Sequence, residues 1–225
     1  ETSMEVEPLI EKVAPPDGEM VGAVVDVLRD VFAPRDVKLL PVYGPRSRLM
    51  VLFNRGLVDI DIMNPAWVPK SVPVVFSQKV YISQQLLFSR ADRVDEFRQF
   101  EDLRDARLCT HRGYVYGEVQ KMMDSKALIR ADGNTDEQML KMLLVGRCDV
   151  LVGPDLTTEK LLLDLDLGHR IVRTPLVDQT WELKFMLSYE HIALMPKINE
   201  FLAREDFDGL FQSYLNRHKT LLMQR

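Results

Sequence analysis

The chain of 225 residues has no apolar run near the roughly 20 residues that a membrane-spanning helix needs. No basic run is present either. Its 29 Lys and Arg stand against 34 Asp and Glu, a formal net charge of −5, which argues against a nucleic-acid partner because that role calls for a basic face. Histidine is scarce: His111, His169, His191 and His218 are scattered, and no His or Cys pair has metal-ligand spacing. No metal and no cofactor is therefore expected. A Ser-His-Asp order and a phosphate loop are both missing, and the carboxylates near the candidate site can be explained as helix caps, so no catalytic residue is assigned. Cysteine is limited to Cys109 and Cys148. Both fall in predicted strands of one lobe, one near a strand end and the other at a strand start. That offset works against a disulfide, which needs Cα atoms within about 7 Å, and buried free thiols are expected. The sequence opens at Glu1-Thr-Ser with no basic n-region or apolar h-region. Any targeting segment is expected to have been removed or left out.

What is present is ordinary for a folded α/β protein: 46% hydrophobic and 28% charged residues, in a length that holds two lobes of about 100 residues each. The stretch from Phe97 to Asp155 lays out one lobe. A polar helical turn, FRQFEDLRD, leads to a short strand over Arg107–Thr110, which stops at His111, Arg112 and Gly113, where a helix can begin. Ala127–Ala131 reads as a second strand, broken by Gly133 and Asn134. Thr135 and Gln138 then form a Thr-x-x-Gln capping box, opening a helix that buries Leu140, Leu143 and Leu144 and stops at Gly146. Cys148–Val152 is a third, almost wholly apolar strand, as expected of a strand covered on both faces, and Pro154 and Asp155 start the next helix. Parallel strands deliver their carboxyl ends to one edge, where ligands meet helix N-termini. The candidate edge is His111, Arg112, Tyr114, Asn134, Thr135 and Asp155, although Asp155 equally suits an N-cap.

Elsewhere, Met4–Pro8 reads as a short strand and Ala14-Pro-Pro-Asp-Gly as a stiff loop. Gly22–Phe32 is a helix, Val37–Val42 a strand, and Arg46–Asn54 a helix stopped by Gly56. Gly56-Leu-Val-Asp-Ile-Asp-Ile and Gly146-Arg-Cys-Asp-Val-Leu-Val share a plan of Gly, two residues, Asp and an apolar strand, one copy in each half. Asn64–Pro73 carries three prolines and must be irregular; its Trp67 and Lys70, with Tyr81, Tyr114 and Tyr116, are further ligand candidates. Phe76–Tyr81, Ile82–Ser89, His169–Val177 and Glu182–Ser188 are extended. His191–Ala203 and Phe207–Lys219 are amphipathic helices placed on the first lobe. The lobes are then 1–86 with 186–225, and 87–185, joined by a two-strand hinge.

Gly22-Ala-Val-Val-Asp26, Leu52-Phe-Asn-Arg-Gly-Leu-Val-Asp59, Val75-Phe-Ser-Gln-Lys-Val-Tyr81, Phe100-Glu-Asp-Leu-Arg-Asp105 and Gly146-Arg-Cys-Asp149 together resemble, in order and over nearly the whole chain, the extracellular solute-binding proteins of family 3, the polar amino-acid type. The resemblance implies an α/β, two-lobed type II periplasmic fold. It also implies a monomer that captures a small solute between its lobes and hands it to an ABC-transporter permease in the periplasm or another extracytoplasmic space. Two alternatives are a sensing domain read by a signalling partner and, on the same fold, a dehydratase-like enzyme. Departures from the family pattern concern the ligand. Lys70 stands where an Arg usually holds the carboxylate, Tyr114 follows Gly113 in place of Thr or Ser, and Asp155 comes one position late for an ammonium. These departures, with Arg112 and the helix starts, lead to the expectation of a small acid held by cations and donors.

Overall fold

The computed structural model describes residues 11–12, 20–33, 39–40, 42 and 46–222. The predicted strand Met4–Pro8 and the loop at 14–18 lie outside the described residues. Of the predicted strand Val37–Val42, Leu39, Leu40 and Val42 are described, and they have no regular structure. The elements in order are β1 (Glu11–Lys12), β2 (Met20–Val21), α1 (Ala23–Phe32), α2 (Arg46–Asn54), β3 (Ile60–Met63), β4 (Val74–Arg90) and β5 (Arg107–His111). They continue with α3 (Glu118–Asp124), β6 (Ile129–Gly133), α4 (Asp136–Leu144), β7 (Val150–Pro154), α5 (Asp155–Asp164), β8 (Ile171–Ser188), α6 (Met195–Leu202) and α7 (Phe207–Leu222). No helix among the described residues is long and apolar enough to cross a membrane.

The chain forms two compact units, Glu1–Ile82 with Glu182–Arg225, and Ser83–Trp181. β4 and β8, each predicted as two separate extended segments, are single strands of 17 and 18 residues that run from one unit into the other. In the first unit β3 pairs antiparallel with the end of β8, and α1 packs on α6 and α7. The α1–α7 seam carries two part-buried polar contacts: His218 Nε2 meets Asp26 Oδ2 at 2.7 Å, and the Tyr214 hydroxyl donates to Asp30.

In the second unit β7, β5 and β6 lie parallel in that order, and β4 pairs antiparallel with β7. Alternate residues serve opposite faces. Leu87, Leu108, Val150 and Val152 pack with Leu103, Tyr116 and Val119, whereas Leu86, Phe88, Cys109 and Leu151 pack with Met139, Leu140, Leu143 and Leu162. Burial on both faces explains why these strands read as unbroken apolar runs. Each fully buried Leu or Phe contributes about 1.5–3 kcal/mol.

The repeated Gly-x-x-Asp plan is one local structure made twice. At α2, Gly56 has φ +65°, its N–H donates to Phe53 O, and Leu57 N donates to Leu52 O. At α4, Gly146 has φ +72°, its N–H donates to Leu143 O, and Arg147 N donates to Met142 O. Both are Schellman caps, for which a left-handed residue is required. α3 and α5 end the same way on Lys126 (φ 62°) and Asp166 (φ 52°), so there a side chain occupies the strained position.

The cysteines correct the sequence reading. Cys109 and Cys148 form a disulfide, with Cα atoms 5.5 Å apart across a sequence separation of 39. The expectation of free thiols put Cys148 inside its strand, but β7 begins only at Val150. With Asp149 N donating to Arg107 O, Cys148 is still on the approach to the strand and reaches Cys109 from there. Both sulfurs sit in the core under α4.

Candidate functional site

The carboxyl ends of three parallel strands define the site edge of the second unit. His111 pairs with Gly133, and Cys109 pairs with Leu151, so β5, β6 and β7 end on the same side. The antiparallel pairing of Gln85 with Pro154 brings Ser83 and Gln84 to that side too. Of the predicted residues, His111, Arg112, Tyr114, Tyr116, Asn134, Thr135 and Asp155 all lie on this one edge. Trp67, Lys70 and Tyr81 belong to the first unit. There Trp67 packs against a cluster containing Met50, Phe53 and Met63, Lys70 is exposed in a turn, and the Tyr81 ring lies 5.7 Å from that of Phe211 on α7.

Between β5 and α3 the chain makes a loop held from several sides. His111 N donates to the Tyr116 hydroxyl at 2.7 Å, Tyr114 N donates to His111 O at 3.1 Å, and Arg112 N donates to Gly133 O at 2.9 Å. The rings of His111 and Tyr114 stack with centroids 4.4 Å apart. Gly113, at φ +79°, makes the turn. Arg130 on β6 donates to the carbonyls of His111 and Tyr114, both at 3.0 Å, while its Nε donates to Asp132 Oδ1 at 2.7 Å. Tyr116 is buried and lies under the Arg130 guanidinium. Burial pushes its hydroxyl up to about 12 against the opposing hydrogen bond from His111.

The helix N-termini correct a second expectation. No helix starts after Gly113; α3 begins at Glu118, and a carboxylate from within the chain already occupies its N-terminus. Asp178, buried on β8, accepts from Gly117 N at 2.9 Å and Val119 N at 2.8 Å. It replaces the side chain that the N-cap Gly117 does not have, and Gly is obligatory there because a Cβ would stand 2.6 Å from Asp178 O. At α4 the Thr135 hydroxyl accepts from Gln138 N at 3.2 Å, as the predicted box requires. The Gln138 side chain reaches one residue further back, to Asn134 N at 2.8 Å. Asp155 is the first residue of α5, after Pro154 at the N-cap position. Its buried carboxylate accepts from Leu156 N at 2.8 Å, Gln84 N at 3.2 Å and the Ser83 hydroxyl at 3.3 Å.

Both charge signs meet at this edge. Burial works upward on the Asp132 carboxyl, but the hydrogen bonds from Arg130 and Thr110 and the charges of Arg130 and Arg112 hold it below the usual carboxylate range. Burial raises Asp136, at the start of α4, with His111 acting the other way. The sequence reading missed Arg130, Asp132, Asp136 and Asp178. Arg130 and Asp132 carried a signal, since two charges at i and i+2 in a strand share a face; Asp178 lies 61 residues from the amide it caps and carried none. Elsewhere, a depression of about 200 Å³ on the first unit, lined by Gln78, Lys79 and Arg204, is smaller than the roughly 300 Å³ of a small-molecule pocket.

No protein-family model matches the chain, and no curated protein does. Solved structures do. The second substrate-binding domain of a putative amino acid ABC transporter from Streptococcus pneumoniae matches with a TM-score of 0.71 and 15% identity, over 94% of each chain. A histidine kinase sensor domain with similarity to periplasmic binding proteins matches at 0.65 and 18%, over 96% of this chain and 92% of that one. The ancestral amino acid-binding protein AncCDT-1, a precursor of cyclohexadienyl dehydratase, matches at 0.64 and 17%, over 96% and 92%. At these identities the likeness is one of fold: α/β, of the two-lobed type II periplasmic kind.

Proposed function

We propose that the chain is an extracytoplasmic solute-binding protein that captures a small polar, carboxylate-bearing solute and delivers it to an ABC transporter. The observation that carries this is the edge of the second unit, where Arg112, the stacked His111–Tyr114 pair and the carboxylates of Asp132 and Asp136 converge at the ends of parallel strands. Strand ends in such sheets are where α/β proteins take ligands. The mixture of charges favours an amino acid over a simple organic acid, since a zwitterion meets a complement for each of its charges. Filling of the α3 N-terminus by Asp178 leaves the solute carboxylate to Arg112. In this reading the chain divides into lobes of residues 1–86 with 186–225 and residues 87–185. The buried disulfide supports placement outside the cytoplasm, because such bonds persist in oxidising compartments.

The likeness to a histidine kinase sensor domain favours a second reading, a sensing domain whose bound state a signalling partner reads. The likeness to a dehydratase precursor raises an enzyme as a third, but no residue at the edge is assigned a role in chemistry. Titration calorimetry against the twenty amino acids and a set of small di- and tricarboxylic acids tests the proposal. It expects saturable binding of one solute per chain, with the solute recovered unchanged. Conversion of the solute would make the protein an enzyme, and absence of binding across the set would end the solute-binding reading. Reconstituted uptake with a permease separates delivery from sensing.

A further inference from the structure

We infer that Arg130 is the positioning residue of the recognition loop: its guanidinium holds residues 111–114 in the conformation that meets the solute. This rests on the solute-binding reading of the same edge. Residues 112–116 belong to neither β5 nor α3, and they present Tyr114 and Val115 to solvent, at 46% and 78% exposure. Tyr116 anchors the end of this segment in the core, but residues 112–115, with two apolar side chains turned outward, must be held by their backbone. Arg130 supplies the hold, with one guanidinium nitrogen 3.0 Å from both the His111 and the Tyr114 carbonyl oxygens. The guanidinium is itself fixed. Its Nε meets Asp132 Oδ1 at 2.7 Å, that oxygen is held at 2.9 Å by the Thr110 hydroxyl, and its plane stands 5.8 Å over the Tyr116 ring. The Tyr116 hydroxyl in turn accepts from His111 N, which completes a bracket around the loop.

The two carbonyls belong to the two residues whose rings stack, so Arg130 fixes that stack by fixing their backbones. A planar fork of fixed geometry can pair with a carboxylate and bond two carbonyls at once, whereas a lysine ammonium is a single point of charge.

The test reads the loop directly. In the solute-free protein, the His111 ring protons should be displaced in the NMR spectrum by the ring current of Tyr114, and a Tyr114→Leu control identifies the displacement. Arg130→Met should move these signals to the position of an unstacked imidazole. Arg130→Lys keeps a partner for Asp132 and should keep the melting temperature close to wild type while still losing the displacement. It also reports if Arg130→Met does not fold. Unchanged His111 signals in Arg130→Lys, or in a folded Arg130→Met, would overturn the assignment. Calorimetry with L-arginine and L-glutamate as probes supplies the functional arm. Whichever probe the wild type binds should bind Arg130→Lys tenfold or more weakly, and equal binding would refute the positioning role. If the wild type binds neither probe nor any other amino acid, the amino-acid reading fails, and the His111 signals still decide whether Arg130 holds the loop.

Discussion

Removing the disulfide between Cys109 and Cys148 offers the sharpest test of the second unit's packing. The bond closes a loop with a sequence separation of 39, and the chain-entropy relation gives about 4 kcal/mol at 25 °C for a loop of that size. A domain of 150–250 residues loses about 2–4 °C in Tm per kcal/mol, so the pair of substitutions Cys109→Ala and Cys148→Ala should lower Tm by about 8–16 °C. Alanine leaves no unsatisfied polar atom in this core, where Cys109 and Cys148 are 0% and 2% exposed. The same burial means that a reductant should act on the native protein only through unfolding. Differential scanning calorimetry of wild type and variant, with and without reductant, reads the effect, and thiol titration in denaturant without reductant should find no free group in the wild type. Two titratable thiols in the unreduced, denatured protein, or equal melting temperatures for wild type and variant, would refute the pairing and the register of β5 against the approach to β7.

Replacing Asp178 by Ala removes both acceptors from the α3 N-terminus and should cost about 1–3 kcal/mol in denaturant unfolding, with faster hydrogen exchange at the Gly117 and Val119 amides. Lys126→Gly should stabilise the protein by about 1 kcal/mol in the same assay, because Lys126 holds a left-handed C-cap at φ 62°. Asp149 has its carboxyl held below the usual range: burial works upward, and the bonds from the Arg107 amide and Arg93 outweigh it. A depressed native value contributes stability above the ordinary carboxylate range of about 3.9 and loses it as pH falls through the native value. Asp149→Asn should therefore be less stable than wild type at pH 7 and converge with it in acid, as read by urea titration at a series of pH values. Asp136 is shifted the other way by burial, so its charged form opposes folding above the ordinary range. Asp136→Asn should raise Tm at pH 7, lose that gain as pH falls, and weaken solute binding about tenfold.

Much of this architecture is written in local patterns. The apolar run at Cys148–Val152 forecast a strand covered on both faces, Gly56 and Gly146 marked left-handed caps, and Thr135 with Gln138 marked the start of α4. Those signals act over a few residues. The sequence reading failed where a distant residue supplied the missing piece. Gly113 looked like the doorway to a helix, but α3 waits for Gly117 because its cap comes from Asp178 on another strand. Cys148 looked like the first strand residue, and a shift of the strand start to Val150 was enough to turn two expected thiols into a bridge. The proposed ligand differs from the expected small acid for the same reason: Asp178 caps α3, Thr135 and Gln138 cap α4, and Asp132 and Asp136 join the edge.

The most direct test of the central claim, that the carboxyl edge of the second unit takes the solute, is amide hydrogen exchange with and without the solute that calorimetry identifies. The account predicts added protection at residues 111–116 and 133–137. Protection confined to other segments, with these two unchanged at saturating solute, would contradict it.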